Sequence, residues 1–352
     1  MSDEAKDRVE DVLDSGMLAD GPEVRAFEDE FGEYCGVEDG VATANGTTAL
    51  HAALEALGIG EGDTVLTSPF SFVATANAIR FTGARPVFAD IDPETYNLDP
   101  DAATEAASEH DIDAIMPVHL YGLPAAMGPL CDLADDLDIP VIEDAAQAHG
   151  ATYHDNRVGS IGDVACFSFY PTKNMTTGEG GMIVTDRDDV AEAAARFVNH
   201  GRTESYEHAT LGHNFRMTSM AAAIGRVQLD RLPEFIDRRR TNAARLTAGI
   251  DGAGVITPTE PSGMRHAYHQ YTIRTDNRDV LQEHLDDHKV GYGVYYPKCI
   301  HDQPAYEGVT VEASEAENAA GEVLSLPVHP NISNEDIDKI IEVIQKYDRK
   351  QN

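Results

Sequence analysis

Two periodicities alternate along this chain: helix-spaced apolar positions, and short apolar runs bounded by Gly, Pro, Asp and Asn. The first residues, Glu4 to Leu13, carry the helical spacing, so the chain opens on a helix and not on a strand. Val41-Ala42-Thr43-Ala44 reads as a short strand, and Thr47 to Leu57 as the helix after it. Thr64-Val65-Leu66-Thr67, Pro86-Val87-Phe88-Ala89, Ala114 to Val118 and Pro140-Val141-Ile142-Glu143 read as further strands, with helices such as Val73 to Phe81 and Met127 to Leu137 between them. Val164 to Ser168 and Gly181 to Thr185 add two more strands. A long helical stretch, Ser219 to Ile250, is expected to be interrupted at Pro233 and to cross into a second domain. There the pattern gives a strand near Tyr268 to Ile273, a helix from Arg278, and terminal helices from Ala313 and Asn334. The alternation predicts an α/β domain with a mostly parallel sheet over residues 1–240, N-terminal helix included, and a smaller α+β domain over 241–352.

Composition narrows the function classes. Sixty-two acidic residues face 26 basic ones, for a formal charge of −36, and the acid is spread along the length, as in Asp132-Leu133-Ala134-Asp135-Asp136-Leu137-Asp138. Interleaved with helix-period apolar residues, it reads as solvated helix faces on a folded protein. With no basic patch, the chain is expected to bind neither nucleic acid nor an anionic membrane surface. The balance points to a halophilic, cytoplasmic protein whose self-repulsion is screened by salt. Met1-Ser2-Asp3-Glu4 lacks the apolar core of a signal peptide, and no run has the length of a membrane span. Cys35, Cys131, Cys166 and Cys299 form no CxxC pair, and the fourteen histidines form no HExxH or other spaced metal set.

One residue stands out against this background. Lys173 is the only lysine between Lys6 and Lys289, and it lies in Ser168-Phe169-Tyr170-Pro171-Thr172-Lys173-Asn174-Met175-Thr176-Thr177-Gly178-Glu179-Gly180-Gly181, just before an apolar strand. A lysine desolvated beside packed strands becomes a nucleophilic amine suited to a Schiff base, whereas a lysine at a loop tip stays an ammonium. Asn45-Gly46-Thr47-Thr48 joins a strand to a helix. Gly46 lets the backbone approach an anion, and the free N–H groups of a helix start favour phosphate; the competing reading is a plain helix cap. Asp144 stands at the carboxyl end of a strand, where open α/β sheets bind ligands, and could pair with a protonated pyridine nitrogen. Glu143 competes for that role, since neighbours on a strand face opposite ways. Gln147 is placed to bond a ring substituent, Ser168 to bind phosphate, and Phe72, in Ser68-Pro69-Phe70-Ser71-Phe72-Val73-Ala74-Thr75, to stack on a planar cofactor. Asn214 and Arg216, two apart in Gly212-His213-Asn214-Phe215-Arg216-Met217, point the same way if extended.

Taken together, these residues resemble the DegT/DnrJ/StrS family of pyridoxal-phosphate enzymes, the sugar aminotransferases of fold type I. The likeness runs from about Ser15-Gly16-Met17-Leu18 to Leu326-Pro327. It takes in Asn45-Gly46-Thr47, Phe72-Val73-Ala74-Thr75-Ala76-Asn77, Pro86 to Asp92, Val118-His119-Leu120-Tyr121-Gly122, Glu143 to Gly150, the lysine loop, Asn214-Phe215-Arg216-Met217, Tyr268-His269-Gln270-Tyr271 and Tyr295-Tyr296-Pro297. The resemblance implies pyridoxal 5'-phosphate as cofactor, with Lys173 as its Schiff-base lysine and Asp144 as partner of the ring nitrogen. Gln147 would contact the ring and Phe72 stack on it, while Gly46, Thr47 and Ser168 hold the phosphate. It further implies that Asn214 reaches the phosphate of a neighbouring subunit, so that a homodimer forms composite sites. Arg216, His213, Tyr296 and His301 would lie towards the substrate; His213 departs from the family's usual Tyr. The implied reaction is a ping-pong transamination from an amino acid, usually glutamate, to a nucleotide-linked keto sugar. A non-sugar ketone such as a cyclitol, or a regulatory protein that binds the cofactor without turnover, are the alternatives. Lys173 itself argues against the related dehydratases, which have histidine at this position.

Overall fold

The computed structural model describes residues 1–203 and 206–351. Helix α1 (Asp3–Ser15) opens the chain, capped by the Ser2 hydroxyl and ended by Gly16 at φ 71°. Helix α2 (Pro22–Cys35) follows, burying Val24, Phe27 and Phe31. The alternating region then runs β1 (Asp39–Thr43), α3 (Gly46–Ala56), β2 (Thr64–Thr67), α4 (Ala74–Phe81), β3 (Arg85–Phe88), α5 (Pro100–Glu109), β4 (Ala114–Met116), α6 (Met127–Leu137) and β5 (Ile142–Asp144). Two short strands, β6 (Thr152–Tyr153) and β7 (Asn156–Arg157), precede β8 (Val164–Ser168), β9 (Gly181–Thr185), α7 (Asp188–Val198) and α8 (Ser219–Ile250). The last part holds β10 (Met264–Arg265), β11 (Tyr271–Arg274), α9 (Arg278–Asp287), α10 (Ser314–Glu322), β12 (Val323–Leu326) and α11 (Asn334–Gln351).

β2 pairs in parallel with β3 and β4, and β5 pairs in parallel with β8. Parallel bridges Ile115–Val141 and Val118–Asp144 join the two groups. The result is one sheet in the order β3-β2-β4-β5-β8-β9-β1, in which only β9 runs antiparallel to its neighbours. Its strands are covered on both faces, which is why they read as unbroken apolar runs. Alternation within them sorts the two cores. Ala165, Phe167, Met182 and Val184 join Phe27, Phe31 and Phe169 on one side. Ile142, Val164, Cys166 and Ile183 join Leu50, Leu54 and Ile79 on the other.

The expected interruption at Pro233 does not occur: α8 is a single helix of 32 residues with Pro233 inside it. Pro233 itself is exposed, so its ring lies on the outer side of the helix and displaces no core side chain. Packing overrides the local cost. Leu229, Leu232 and Ile236 are fixed in the core beneath the sheet, and Ala243, Leu246 and Ile250 in a second cluster with Tyr271, Ile273, Leu285, Leu324 and Ile344. That second cluster is built on the antiparallel pair β11–β12. The strand expected from Tyr268 begins only at Tyr271. Tyr268 sits at φ 46° with its ring stacked 3.9 Å from that of His266, which takes it out of any strand.

Candidate active site

The carboxyl ends of β5 and β8 and the start of α3 converge. Asp144 is the last residue of β5 and Ser168 the last of β8. Strand alternation separates the two acids. Glu143 turns away, accepting from His119 Nε2 (2.9 Å) and from the N–H groups of Gly159 (3.0 Å), Ile161 (2.8 Å) and Gly162 (2.9 Å). With four donors it is a fully satisfied buried anion, held below the usual range by those bonds although burial pushes the other way. Since His119 Nδ1 accepts the Ala125 N–H, its Nε2 carries the hydrogen, and Glu143 serves the scaffold. Asp144 faces the opposite side. Its Oδ2 accepts from the Thr75 hydroxyl at 2.7 Å and its Oδ1 from the Ala146 N–H at 3.2 Å. Burial raises its pKa; the Thr75 and Ala146 bonds and the Lys173 ammonium pull it back.

Lys173 lies in the loop between β8 and β9, anchored by its own N–H on the Tyr170 carbonyl and by Asn174 Nδ2 on the Ala267 carbonyl at 3.2 Å. Its surroundings desolvate the ammonium and bring its pKa down to about 8, against the opposing pull of Asp144. Behind the loop, His149 is buried beside Phe167 and Phe169 and pushed down to about 3, by burial first and then by Lys173. It is therefore neutral and adds no charge beside the lysine.

At the start of α3, the Asn45 side chain accepts from Thr48 N and the Thr48 hydroxyl from Asn45 N. This cap engages Thr48 and leaves the N–H groups of Gly46 and Thr47 without a protein partner among the described residues. A carbon added at Gly46 would stand 2.7 Å from Ser168 Cβ and 3.2 Å from its Oγ. The glycine thus lets the helix start and the Ser168 hydroxyl close on one small volume, an anion cradle.

Phe72 is 55% exposed, just before a helix whose Thr75, Ala76, Ala78 and Ile79 are buried. Its ring lies 6.1 Å from that of Tyr296. Gln147 is held at both ends: its Oε1 accepts the Tyr121 N–H at 2.9 Å, and its Nε2 donates to Tyr296 Oη at 3.2 Å. Asn214 and Arg216 do point the same way, and Arg216 Nε and Nη2 both donate to Asn214 Oδ1, at 3.0 and 2.9 Å. The segment is pinned along β1 by the Thr43–Arg216 bridge, with Asn214 exposed. His213 is also exposed and stacks on Phe215 with centroids 4.6 Å apart. His301 faces α10, its Nε2 3.3 Å from Glu317, and its contacts tie it to that helix, not to Lys173 or Asp144. Cys299, His301 and Asp302 bring potential ligand atoms within 4.8 Å of one another, a grouping with no counterpart in the sequence reading.

The sequence shows Thr75, Ser71, His119 and Tyr121 only as members of longer runs, with no role attached to them. Thr75 and Ser71 lie in the run that drew attention to Phe72, and the available signal was their spacing. A hydroxyl three residues after Phe72 lies in the first turn of the helix that faces the end of β5.

A desolvated lysine, a buried carboxylate facing it, an anion cradle and an exposed aromatic face fit pyridoxal phosphate. The family model for DegT/DnrJ/EryC1/StrS aminotransferases matches residues 1–345. The chain belongs to this family. It is a pyridoxal-phosphate-dependent aminotransferase of fold type I. It is 41% identical over 348 residues to a "Pleiotropic regulatory protein" of Geobacillus stearothermophilus, covering 97% of this chain and 93% of that one. It is 39% identical over 348 residues to a UDP-N-acetyl-3-dehydro-alpha-D-glucosamine 3-aminotransferase of Acidithiobacillus ferrooxidans, covering 98% and 94%. Among solved structures, Streptomyces venezuelae DesV in complex with a ketimine intermediate superimposes with a TM-score of 0.95 at 37% identity, covering 98% of this chain and 94% of that one.

Proposed function

We propose that this aminotransferase moves the amino group of an amino acid, glutamate first among candidates, to a nucleotide-linked keto sugar, at carbon 3 of the sugar. The juxtaposition of Lys173 with Asp144 carries the reading, because simple binding of a cofactor needs no desolvated amine opposite a buried carboxylate. The 3-aminotransferase name of the Acidithiobacillus relative supports the sugar and the carbon.

When bound, pyridoxal phosphate supplies a carbonyl that takes up the amine and a ring that stores the electron pair released at the donor's Cα. The residues of this chain do the rest. The N–H groups of Gly46 and Thr47 and the Ser168 hydroxyl bind the phosphate. Phe72 covers one ring face, and Asp144 holds the proton on the ring nitrogen. Gln147, kept from rotating by Tyr121 and Tyr296, contacts the ring. Lys173 would carry the proton from the donor's Cα to the cofactor's C4′, as general base and then acid, and run the same transfer in reverse for the keto sugar. Arg216 binds the donor's carboxylate, and Tyr296 and His213 border the sugar. The protein works as a homodimer with composite sites. The exposed Asn214 and the exposed apolar Phe81 and Leu211 support this, since a second copy would cover them.

The test is the visible spectrum of the purified protein in high KCl. Glutamate is expected to bleach the yellow band, and a nucleotide keto sugar, but not a keto cyclitol, to restore it. An unchanged band with glutamate would require another donor. Recovery with the cyclitol alone would overturn the sugar assignment.

A further inference from the structure

A hydroxyl chain runs behind Asp144 and ends blind. Thr75 Oγ1 lies 2.7 Å from Asp144 Oδ2, and Ser71 Oγ lies 2.9 Å from Thr75 Oγ1. All three residues are buried. Each hydroxyl has a single hydrogen, so the chain has only two consistent directions. In the first, Ser71 donates to Thr75 and Thr75 to the Asp144 carboxylate; every hydrogen is used. In the second, Oδ2 carries the acid proton of Asp144 and donates it to Thr75, and Thr75 donates to Ser71. The Ser71 hydrogen then has nowhere to go, since no other acceptor for that hydroxyl is found among the described residues. A buried donor without a partner is costly, so the blind end favours the first direction.

The geometry points to Thr75, backed by Ser71, as the positioning residue that keeps Asp144 a carboxylate and fixes its rotation. This rests on the reading of Asp144 as partner of the cofactor's ring nitrogen. The pair opposes the burial that drives Asp144 towards its neutral form. Oδ2 is committed to Thr75 and Oδ1 to the backbone of Ala146, so the plane of the carboxylate is set from both sides. The same turn also sets the aromatic face, because the Thr75 N–H bonds the Phe72 carbonyl at 3.1 Å. One short segment would therefore control both the ring's stacking partner and its charge partner. The other titratable groups facing Asp144 are Lys173 from the β8–β9 loop, His119 after β4, Cys166 on β8 and Tyr296. Of these, Lys173 and His119 pull the Asp144 carboxyl down, alongside the Thr75 bond.

The experiment reconstitutes the full-length protein with pyridoxal phosphate labelled with 15N in the ring and follows the ring-nitrogen NMR shift from pH 6 to 9. In the wild type the nitrogen is expected to stay protonated throughout. In Thr75→Val it should lose its proton at a pH lower by about one unit or more, and kcat should fall at least tenfold with little change in the donor KM. Thr75→Ser should restore the wild-type shift. Asp144→Asn is the control for the underlying assignment. If Asp144→Asn moves the shift and Thr75→Val does not, the role of Thr75 is overturned while Asp144 stands. If neither moves it, both are overturned. Should Thr75→Val not fold, Ser71→Ala carries the test: a partial displacement of the shift supports the chain, and an unaltered shift overturns it.

Discussion

At the scale of single residues, Lys173 and Gly46 yield the sharpest predictions. Lys173 titrates near pH 8, well under its ordinary range, because burial penalises the ammonium more than Asp144 rewards it. The neutral amine is the nucleophile, so capture of added cofactor by the apo-protein should accelerate about tenfold per pH unit up to about pH 8 and level off above it. Stopped-flow absorbance measures this. A rate still climbing steeply at pH 9.5 would mean an unperturbed lysine. Lys173→Ala should abolish the covalent band and lower turnover by at least about 10³-fold, with pyridoxal phosphate still bound through its phosphate. Gly46→Ala places a carbon 2.7 Å from Ser168 Cβ, which is fixed by the backbone of β8 and cannot swing aside. The helix start and the strand must part, and cofactor affinity should fall about tenfold or more, equivalent to 1–3 kcal/mol of overpacking. Titration of the apo-variant checks it. Both residues were legible in the sequence because each is an exception to its surroundings, a lysine in a lysine-poor chain and a glycine at a helix start. Thr75 was not, because its role is a contact between residues 69 apart in sequence.

At the scale of elements, the central strands were legible because burial on both faces makes them continuous apolar runs. The choice between Glu143 and Asp144 was not. Alternation says that they diverge, but only the β5–β8 pairing and the loop at Gly159–Gly162 say which face holds the site. β12 escaped because its run, Val323 to Leu326, continues straight from α10, and its strand character comes from pairing with β11. Pro233 misled for a related reason. Local preference ends a helix there, yet the cores at either end of α8 keep it one helix. The cost should still be present in the folded state. Pro233→Ala restores the missing N–H on an exposed turn without touching the core, and should stabilise the protein by about 1–3 kcal/mol. Urea denaturation reads this directly. A destabilised variant would mean that the proline ring contributes packing or limits the unfolded chain more than it disturbs the helix.

For the whole molecule, the dominant quantity is the charge of −36. Salt acts on it in two opposing ways. It weakens attractions such as Arg226 with Glu23 and Glu30, or Arg187 with Asp163 and Asp189. These pairs are partly exposed, and each contributes roughly 0–1 kcal/mol. Salt also weakens the repulsion among acids that outnumber the bases 62 to 26. Most of the acids have no basic partner to lose, so relief of repulsion wins. The Debye length shrinks from about 10 Å at 0.1 M to about 3 Å at 1 M, below the spacing of neighbouring helix-face acids. The melting temperature should therefore rise between 0.1 and 2 M KCl, by roughly 2–4 °C for each kcal/mol of repulsion removed. Most of the gain should come below 1 M, where screening is completed. A rise that continues undiminished to 2 M would instead indicate salt exclusion from the surface, which sucrose would mimic and screening would not. A flat or falling curve would show that the ion pairs outweigh the surplus acid, and would remove the physical basis for placing this chain in a high-salt interior.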